Sequence, residues 1–240
     1  MKILVLTDND YLYQNFLQII SDSRFKCYSF KFCFSLNNKE LLNKYNENSG
    51  FSSMNIKQEW PAVVNSYDLV ISLHSKQIFP KSMVESIRCI NIHPGLNPFN
   101  RGWYPQVFSI INKFPIGITI HEIDEYLDHG PVIVQKELEI FPWETSFDVY
   151  SRIIQEEIQL IDKHLLDIIT NNYKLTYLDS EGNVNLKKDF NALCKIDLSK
   201  IVTMGEAIDF LRAVTFPKYR NAYFIKDGEK IFVDLNLTRE

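Results

Sequence analysis

The residues best suited to chemistry crowd into two short stretches. The first, CINIHPGLNPFNRGWYPQ (89–106), ends an apolar run on an asparagine and a histidine, then turns at once into prolines, glycines, an arginine and two large aromatics. Alternate side chains of a strand share a face, so Cys89, Asn91 and His93 lie on one side and Ile90 and Ile92 on the other. Pro94 holds His93 extended and ends the strand there. An amide and an imidazole are thereby projected side by side at a strand's carboxyl end, where open α/β sheets place ligands. The second stretch, HEIDEYLDHGPVI (121–133), gathers four acids and two histidines just before Gly130-Pro131. An Asn, a His and an Asp together can move an acyl group to an amine. The imidazole takes the proton as the amine attacks, the amide donates to the developing oxyanion, and the carboxylate tunes the imidazole. No serine or cysteine nucleophile is needed if the acyl group moves directly. The plainer reading has Asn91 capping a turn, His93 satisfied inside the core and the acids solvated on a loop.

The elements that must carry these residues alternate. KILVL (2–6) is a continuous apolar run, the mark of a strand covered on both faces. A helix follows, capped by Asp8 or Asn9 and carrying Leu12, Phe16 and Ile19 or Ile20. Further strands are expected over 24–36, 67–73 and 86–93, with a short helix between the first two ending at Gly50. Strands alternating with helical stretches predict an α/β, Rossmann-like, mostly parallel sheet flanked by helices. Runs at 117–124 and 130–140 read as a hairpin. The clearest helix covers 144–170, with Thr145 and Asp148 near a capping box and Tyr150, Ile154, Ile158, Ile161, Leu165 and Ile168 as its apolar stripe. Past residue 172 the chain turns polar. It closes with a short helix capped by Thr203 and Glu206 and a β-hairpin around Asp227-Gly228.

Composition narrows the function classes. The 240 residues are 45% apolar with a net charge of −4, which fits a globular chain and disfavours a dedicated nucleic-acid binder. The apolar run at the N-terminus is too short for a signal peptide, and no later run reaches about eighteen apolar residues, so neither secretion nor a membrane is expected. Four cysteines without a CxxC pair suggest no zinc site and no disulfide framework, and Cys27, Cys33 and Cys89 read as small packed hydrophobes. A cytoplasmic protein is expected. The turn after the first strand, TDND, lacks the glycines of a dinucleotide fingerprint, and no P-loop pattern occurs.

Asn91, His93 and Pro94, followed by Leu127, Asp128 and Gly130, resemble the paired signature of the folate-dependent formyltransferases over roughly residues 1–170. That family includes the glycinamide ribonucleotide, methionyl-tRNA and sugar N-formyltransferases. The resemblance implies a catalytic domain over 1–180 and a C-terminal extension over 181–240. It makes His93 the general base, Asn91 the oxyanion donor and Asp128 the carboxylate partner, with 10-formyltetrahydrofolate as formyl donor and no metal. The donor's pterin would sit against the loops 76–83 and 122–128, on backbone groups of Gln77, Phe79, Ile123 and Asp124 with Ile78 as an apolar wall.

LNPFNRGWYPQVFSI (96–110) is similar to the nucleotide-sugar branch, which makes Arg101 and Lys76 candidates for phosphate and Trp103 or Tyr104 for stacking. LRAVTFPKYRNAYF (211–224) resembles the point where the tRNA enzyme's β-barrel begins, yet only a hairpin's length remains. The resemblance therefore implies a dTDP-linked amino sugar and no nucleic acid, with Tyr219 or Tyr223 against thymine or at a dimer interface. The implied reaction formylates the 4-amino group of dTDP-4-amino-4,6-dideoxyglucose, for a formamido sugar of bacterial surface polysaccharide such as lipopolysaccharide O-antigen. A dTDP-3-amino sugar, UDP-4-amino-arabinose or a catalytically dead relative are the alternatives. Exposed apolar strands in the terminal hairpin predict a homodimer.

Overall fold

The computed structural model describes residues 1–45 and 49–239. Along the chain run β1 (Lys2–Thr7), α1 (Asp10–Ile20), β2 (Ser29–Ser35), α2 (Lys39–Lys44), β3 (Phe51–Met54), α3 (Ile56–Ser66), β4 (Leu69–Leu73), α4 (Lys81–Val84) and β5 (Cys89–His93). There follow β6 (Arg101–Gly102), α5 (Pro105–Asn112), β7 (Ile116–Glu122), β8 (Val132–Leu138), α6 (Ser146–Thr170), β9 (Val184–Asn185), α7 (Lys187–Leu193), α8 (Met204–Val214), β10 (Tyr223–Lys226) and β11 (Glu229–Phe232). The chain divides into two compact units.

The first unit comprises Met1–His93, Thr119–Gln135 and Glu156–Asp179. Its sheet belongs to a seven-stranded array in the order β3-β2-β1-β4-β5-β7-β8. The pairs β1–β2, β1–β4, β2–β3 and β4–β5 are parallel, whereas β5–β7 is antiparallel. The α/β sheet is therefore mostly parallel, as the alternating pattern predicts. Ile3, Leu4, Val5 and Leu6 of β1 and Leu69, Val70 and Ile71 of β4 are fully buried, as strands covered on both faces must be. Each contributes roughly 1.5–3 kcal/mol by leaving water.

Helix α1 starts where expected. Asn9 accepts the Leu12 N–H at 3.1 Å as its cap, and Leu12, Tyr13, Phe16 and Ile19 face the core. Tyr13 stacks on Phe51 with ring centroids 4.0 Å apart. Two boundaries and one helix depart clearly from the pattern reading. Residues Ser23–Phe25 form a 3₁₀ turn capped by Asp22, so β2 begins at Ser29 rather than at 24. That shift leaves Cys27 exposed in the connection, not packed in a strand, while Cys33 and Cys89 are buried as expected. The helix expected to run to Gly50 ends at Lys44, and 46–48 lie outside the described residues. Helix α3, unmarked by periodicity, buries only Ile56 and Val63 and holds Pro61 inside it.

The second unit comprises Pro94–Ile118, Lys136–Gln155 and Ser180–Glu240. Its organising residue is Asn100, fully buried with φ 50°. Asn100 Oδ1 accepts from the side-chain amides of Asn112, Asn183 and Asn185 at 3.0, 2.8 and 3.1 Å, and its Nδ2 donates to Ser109 Oγ at 3.0 Å. This cluster ties the segment after Pro94 to the pairing of β6 with β9. Helix α8 has the expected reciprocal cap between Thr203 and Glu206. Buried Arg212 donates to the carbonyls of Phe141 and Glu144 at 3.2 and 2.9 Å. Strands β10 and β11 pair antiparallel, with Asp227 and Gly228 at φ 52° and 83°, the two left-handed residues of a tight hairpin turn.

Helix α6 is shared by the two units. Thr145 and Asp148 cap it reciprocally, with Thr145 N–H donating to Asp148 Oδ2 at 2.9 Å. Ile154, Ile161, Leu165 and Ile168 of the expected stripe are buried, but so is Glu157, at 0% exposure.

Candidate active site

Strands β5 and β7 set the site, which lies within the first unit. Their antiparallel register places Asn91 opposite His121 and His93 opposite Thr119. The loop between β7 and β8 then returns Asp128 to the same spot. Asn91 Nδ2 donates to Asp128 Oδ1 at 2.8 Å, and His93 Nδ1 lies 3.5 Å from Asp128 Oδ2. Side-chain exposure is 5% for His93 and 10% for Asp128, so the pair is largely removed from water, where charge interactions strengthen. With Nδ1 turned to the carboxylate, Nε2 is the ring nitrogen that faces away from it.

The loop closes because of two backbone features. Asp128 itself adopts φ 47°. At Gly130 a Cβ would sit 1.9 Å from the carbonyl oxygen of Glu122, and the Glu122 N–H donates to the Pro131 carbonyl at 3.0 Å. Only glycine permits that approach. Thus the Leu-Asp-x-Gly spacing read from the sequence has a mechanical basis: Gly130 pins the loop's end, and Asp128 turns inward two residues earlier.

A fourth residue belongs to the cluster and went unassigned in the sequence. His121, 1% exposed, directs Nδ1 at the Glu122 carbonyl at 2.7 Å. Nδ1 therefore carries the proton, and Nε2 accepts from Asn91 Nδ2 at 3.2 Å. His121 Nε2 is 3.9 Å from Asp128 Oδ1. Both amide hydrogens of Asn91 are engaged, which fixes which way its amide points. The signal for His121 is its cross-strand pairing with Asn91, which no local pattern reveals. Behind the cluster, Gln135 Nε2 donates to Thr119 Oγ1 at 3.0 Å.

The two candidate pterin loops lie in the same unit. Loop 76–80 lines a cleft of about 790 Å³ at the carboxyl ends of β1 to β4, together with Asp8, Asn38, Lys39, Lys57 and Trp60. Within it Ile78 is 80% exposed, while Phe79 is buried in the core. Gln77 accepts the Ile56 N–H at 2.8 Å through Oε1, and its buried Nε2 has no partner among the described residues, a spare donor in the cleft wall. Ile123 N–H donates to the Cys89 carbonyl at 2.8 Å, and Asp124 accepts from His129 Nδ1 at 2.5 Å and from Tyr126 N–H at 2.9 Å. An exposed apolar side chain beside backbone groups and a spare amide suits the flat, hydrogen-bonding ring of a pterin.

Of the phosphate and stacking candidates, Lys76 lies in this cleft, whereas Arg101, Trp103, Tyr104, Tyr219 and Tyr223 belong to the second unit. There Arg101 is buried with Glu181 at 3.7 Å, and Lys187 stands over the Trp103 ring at 5.5 Å. Tyr104 caps α5 in the left-handed region and packs on Phe190, ring centroids 4.2 Å apart, where burial pushes its hydroxyl pKa up. Tyr219 is 54% exposed, and Tyr223 carries Lys230 over its ring at 3.7 Å.

A mostly parallel α/β sheet with an amide, an imidazole and a carboxylate at the end of β5, and no serine or cysteine among them, has the groups that direct acyl transfer to an amine requires. The formyl transferase family model matches residues 36–165, and the N-formyltransferase dimerization C-terminal domain matches 189–239. The chain belongs to the formyl transferase family.

It is 44% identical over 192 residues to the dTDP-4-amino-4,6-dideoxyglucose formyltransferase of Mycobacterium tuberculosis, covering 80% of this chain and 82% of that protein. Among solved structures it is similar to a 4-N formyltransferase from Francisella tularensis (46% identity, TM-score 0.95, 100% and 98% of the two chains covered). It also resembles a sugar N-formyltransferase from a Shewanella species (42%, TM-score 0.94, 100% and 99%).

Proposed function

We propose that this enzyme moves a formyl group from 10-formyltetrahydrofolate to the 4-amino group of dTDP-4-amino-4,6-dideoxyglucose, making a formamido sugar for a bacterial surface polysaccharide. The observation that carries the chemistry is the convergence of Asn91, His93 and Asp128, with His93 Nδ1 held 3.5 Å from the acid. The acceptor is supported by the relative that is 44% identical over most of both chains and by the 46% identical structure described as a 4-N formyltransferase.

The donor supplies an activated formyl carbonyl. His93 takes the amine's proton through Nε2 as the new bond from that amine to the formyl carbon forms, and returns it to the donor's nitrogen as the bond between that nitrogen and the formyl carbon breaks, releasing tetrahydrofolate; Asp128 holds the opposite ring nitrogen and stabilises the imidazolium in between. Asn91 donates to the oxyanion, the carbonyl oxygen replacing its longer bond, the one to His121 at 3.2 Å. Backbone groups of Gln77, Phe79, Ile123 and Asp124, with Ile78, hold the pterin. Lys76, Arg101, Trp103, Tyr104, Tyr219 and Tyr223 are the residues proposed to bind the nucleotide sugar. Residues 1–180 are assigned as the catalytic domain and 181–240 as the extension, along the two family matches and not along the two compact units, the second of which also takes in 94–118 and 136–155. The extension joins two copies into a homodimer, and the enzyme works in the cytoplasm.

Mass spectrometry of a panel of dTDP- and UDP-amino sugars incubated with enzyme and donor tests this. One added formyl on dTDP-4-amino-4,6-dideoxyglucose is expected. Preferential formylation of a 3-amino sugar or of UDP-4-amino-arabinose would move the acceptor assignment, and no transfer to any of them would refute it.

A further inference from the structure

We propose that His129 is a positioning residue: it latches the loop between β7 and β8 and so keeps Asp128 at its working distance from His93. The proposal rests on the reading above, in which Asp128 is the partner of His93. Of the two histidines in 121–133, His121 braces Asn91, while the reaction scheme makes no use of His129. Its Nδ1 lies 2.5 Å from Asp124 Oδ2. An ionised carboxylate only accepts, so Nδ1 carries the proton and donates. Asp124 Oδ1 accepts the Tyr126 N–H at 2.9 Å. One carboxylate thus fastens the loop at two points, Tyr126 and His129. The rings of those two residues meet edge-on, centroids 5.3 Å apart and planes at 74°. The other acids of the loop have partners elsewhere: Glu125 pairs with Lys81 at 2.7 Å, and Asp128 with Asn91 and His93.

The backbone at Asp128 shows why a latch is needed. Its φ of 47° is a conformation that residues other than glycine adopt only when their surroundings hold them there. The loop's ends are fixed already, by the Ile123 N–H on the Cys89 carbonyl at 2.8 Å and by Gly130 packed against the Glu122 carbonyl. Residues 124–129 lie between those points. The His129–Asp124 bond closes this interval across its width, one residue from Asp128. Without the bond, Asp128 is free to relax toward an ordinary φ and to draw its carboxylate back from His93 Nδ1, now 3.5 Å away. A displacement of about 1 Å can cost on the order of 10²-fold in rate. Both latch side chains are 32% exposed, so water replaces the bond when it is lost and global stability depends little on it. The effect of the latch is therefore local, and catalytic.

The test compares His129→Ala, His129→Asn and Asp124→Ala with wild type by steady-state kinetics, thermal melting and amide hydrogen exchange. Asparagine puts an amide nitrogen where the imidazole has Nδ1, so it keeps the donor and removes the ring. His129→Ala should lower kcat about tenfold to a hundredfold and leave KM for the nucleotide sugar unchanged. Its melting temperature should fall by no more than about 4 °C. His129→Asn should bring kcat back to within about threefold of wild type, since the donated bond is restored. Asp124→Ala should reproduce the fall, and combining it with His129→Ala should cost nothing further, because both act through one contact. The amides of 125–129 should exchange at least about tenfold faster in His129→Ala and recover in His129→Asn. Wild-type kcat or unchanged loop exchange in His129→Ala would overturn the latch. So would His129→Asn as slow as His129→Ala with its loop exchange restored, since the imidazole would then act on the reactants directly. A melting temperature lowered much further, with kcat falling only in step with the folded fraction, would make His129 an ordinary structural residue. Absence of formyl transfer by wild type would refute the enzymatic reading alone, because exchange still decides whether His129 holds the loop.

Discussion

His93 and Asp128 work only as a pair. His93→Asn keeps a polar side chain of similar reach but cannot take a proton at this position, so kcat should fall at least 10²–10⁴-fold. Thermal stabilisation by dTDP should persist, because a ligand stabilises the state it binds whether or not chemistry follows. Near-wild-type turnover would remove His93 as the base. The acceptor amine must also lose its proton before it can attack, so activity measured across pH should rise toward mildly alkaline values. His121 is a positioning residue: it holds Asn91 at 3.2 Å without facing the acceptor nitrogen in the scheme above. Its place was hidden in the sequence among the charged residues of 121–133, since only pairing with β5 brings it beside Asn91.

At the level of loops and helices, the connection from β7 to β8 depends on Gly130. Gly130→Ala puts a methyl group into the Glu122 carbonyl, so Asp128 must move. The expected result is a loss on the order of 2 kcal/mol in urea denaturation together with a large fall in kcat, with nucleotide binding kept. Helix α6 carries the other unusual contact. His74, at φ 55° just after β4, places Nε2 3.0 and 2.9 Å from the two oxygens of Glu157, which is fully buried. His74→Ala strands that carboxylate and should cost about 3 kcal/mol. Adding Glu157→Met should restore much of it, because an apolar partner needs no counter-charge. If the double variant is as unstable as the single, the pair is not what holds the start of loop 74–80.

For the molecule as a whole, acid stability and assembly can both be argued. Burial alone would raise the Asp209 pKa, but hydrogen bonds from Lys113 and Arg212 outweigh it and hold the carboxyl below its ordinary value. A depressed carboxyl contributes stability that is present above its unfolded pKa, about 3.9, and is lost as pH falls through the lower folded value. Asp209→Asn should therefore lower the melting temperature at pH 7 and leave it nearly unchanged near pH 2. In the terminal hairpin Ile225, Ile231 and Phe232 are exposed at 53%, 38% and 38%. Light scattering should find a dimer, and Ile231→Asp with Phe232→Asp should shift it to monomer. A dimer indifferent to both changes would place the interface elsewhere.

The chain's local patterns were enough to specify the class of fold, the Asn91–His93 strand end, the long amphipathic helix, both capping boxes and the terminal turn. Each of these follows from alternation, periodicity or a residue's own backbone preference, which neighbours along the chain impose. The resemblance carried by two separated motifs added the reaction. Tertiary structure alone decided that His121 joins the site, that Glu157 enters an apolar core, and that Asn100 gathers three distant asparagines. It also decided that Lys39 and Lys57, in the first turns of α2 and α3, share a cleft with Lys76. Those contacts join residues far apart in the chain, and their free energy depends on pairing register and desolvation, quantities that no short window of sequence contains.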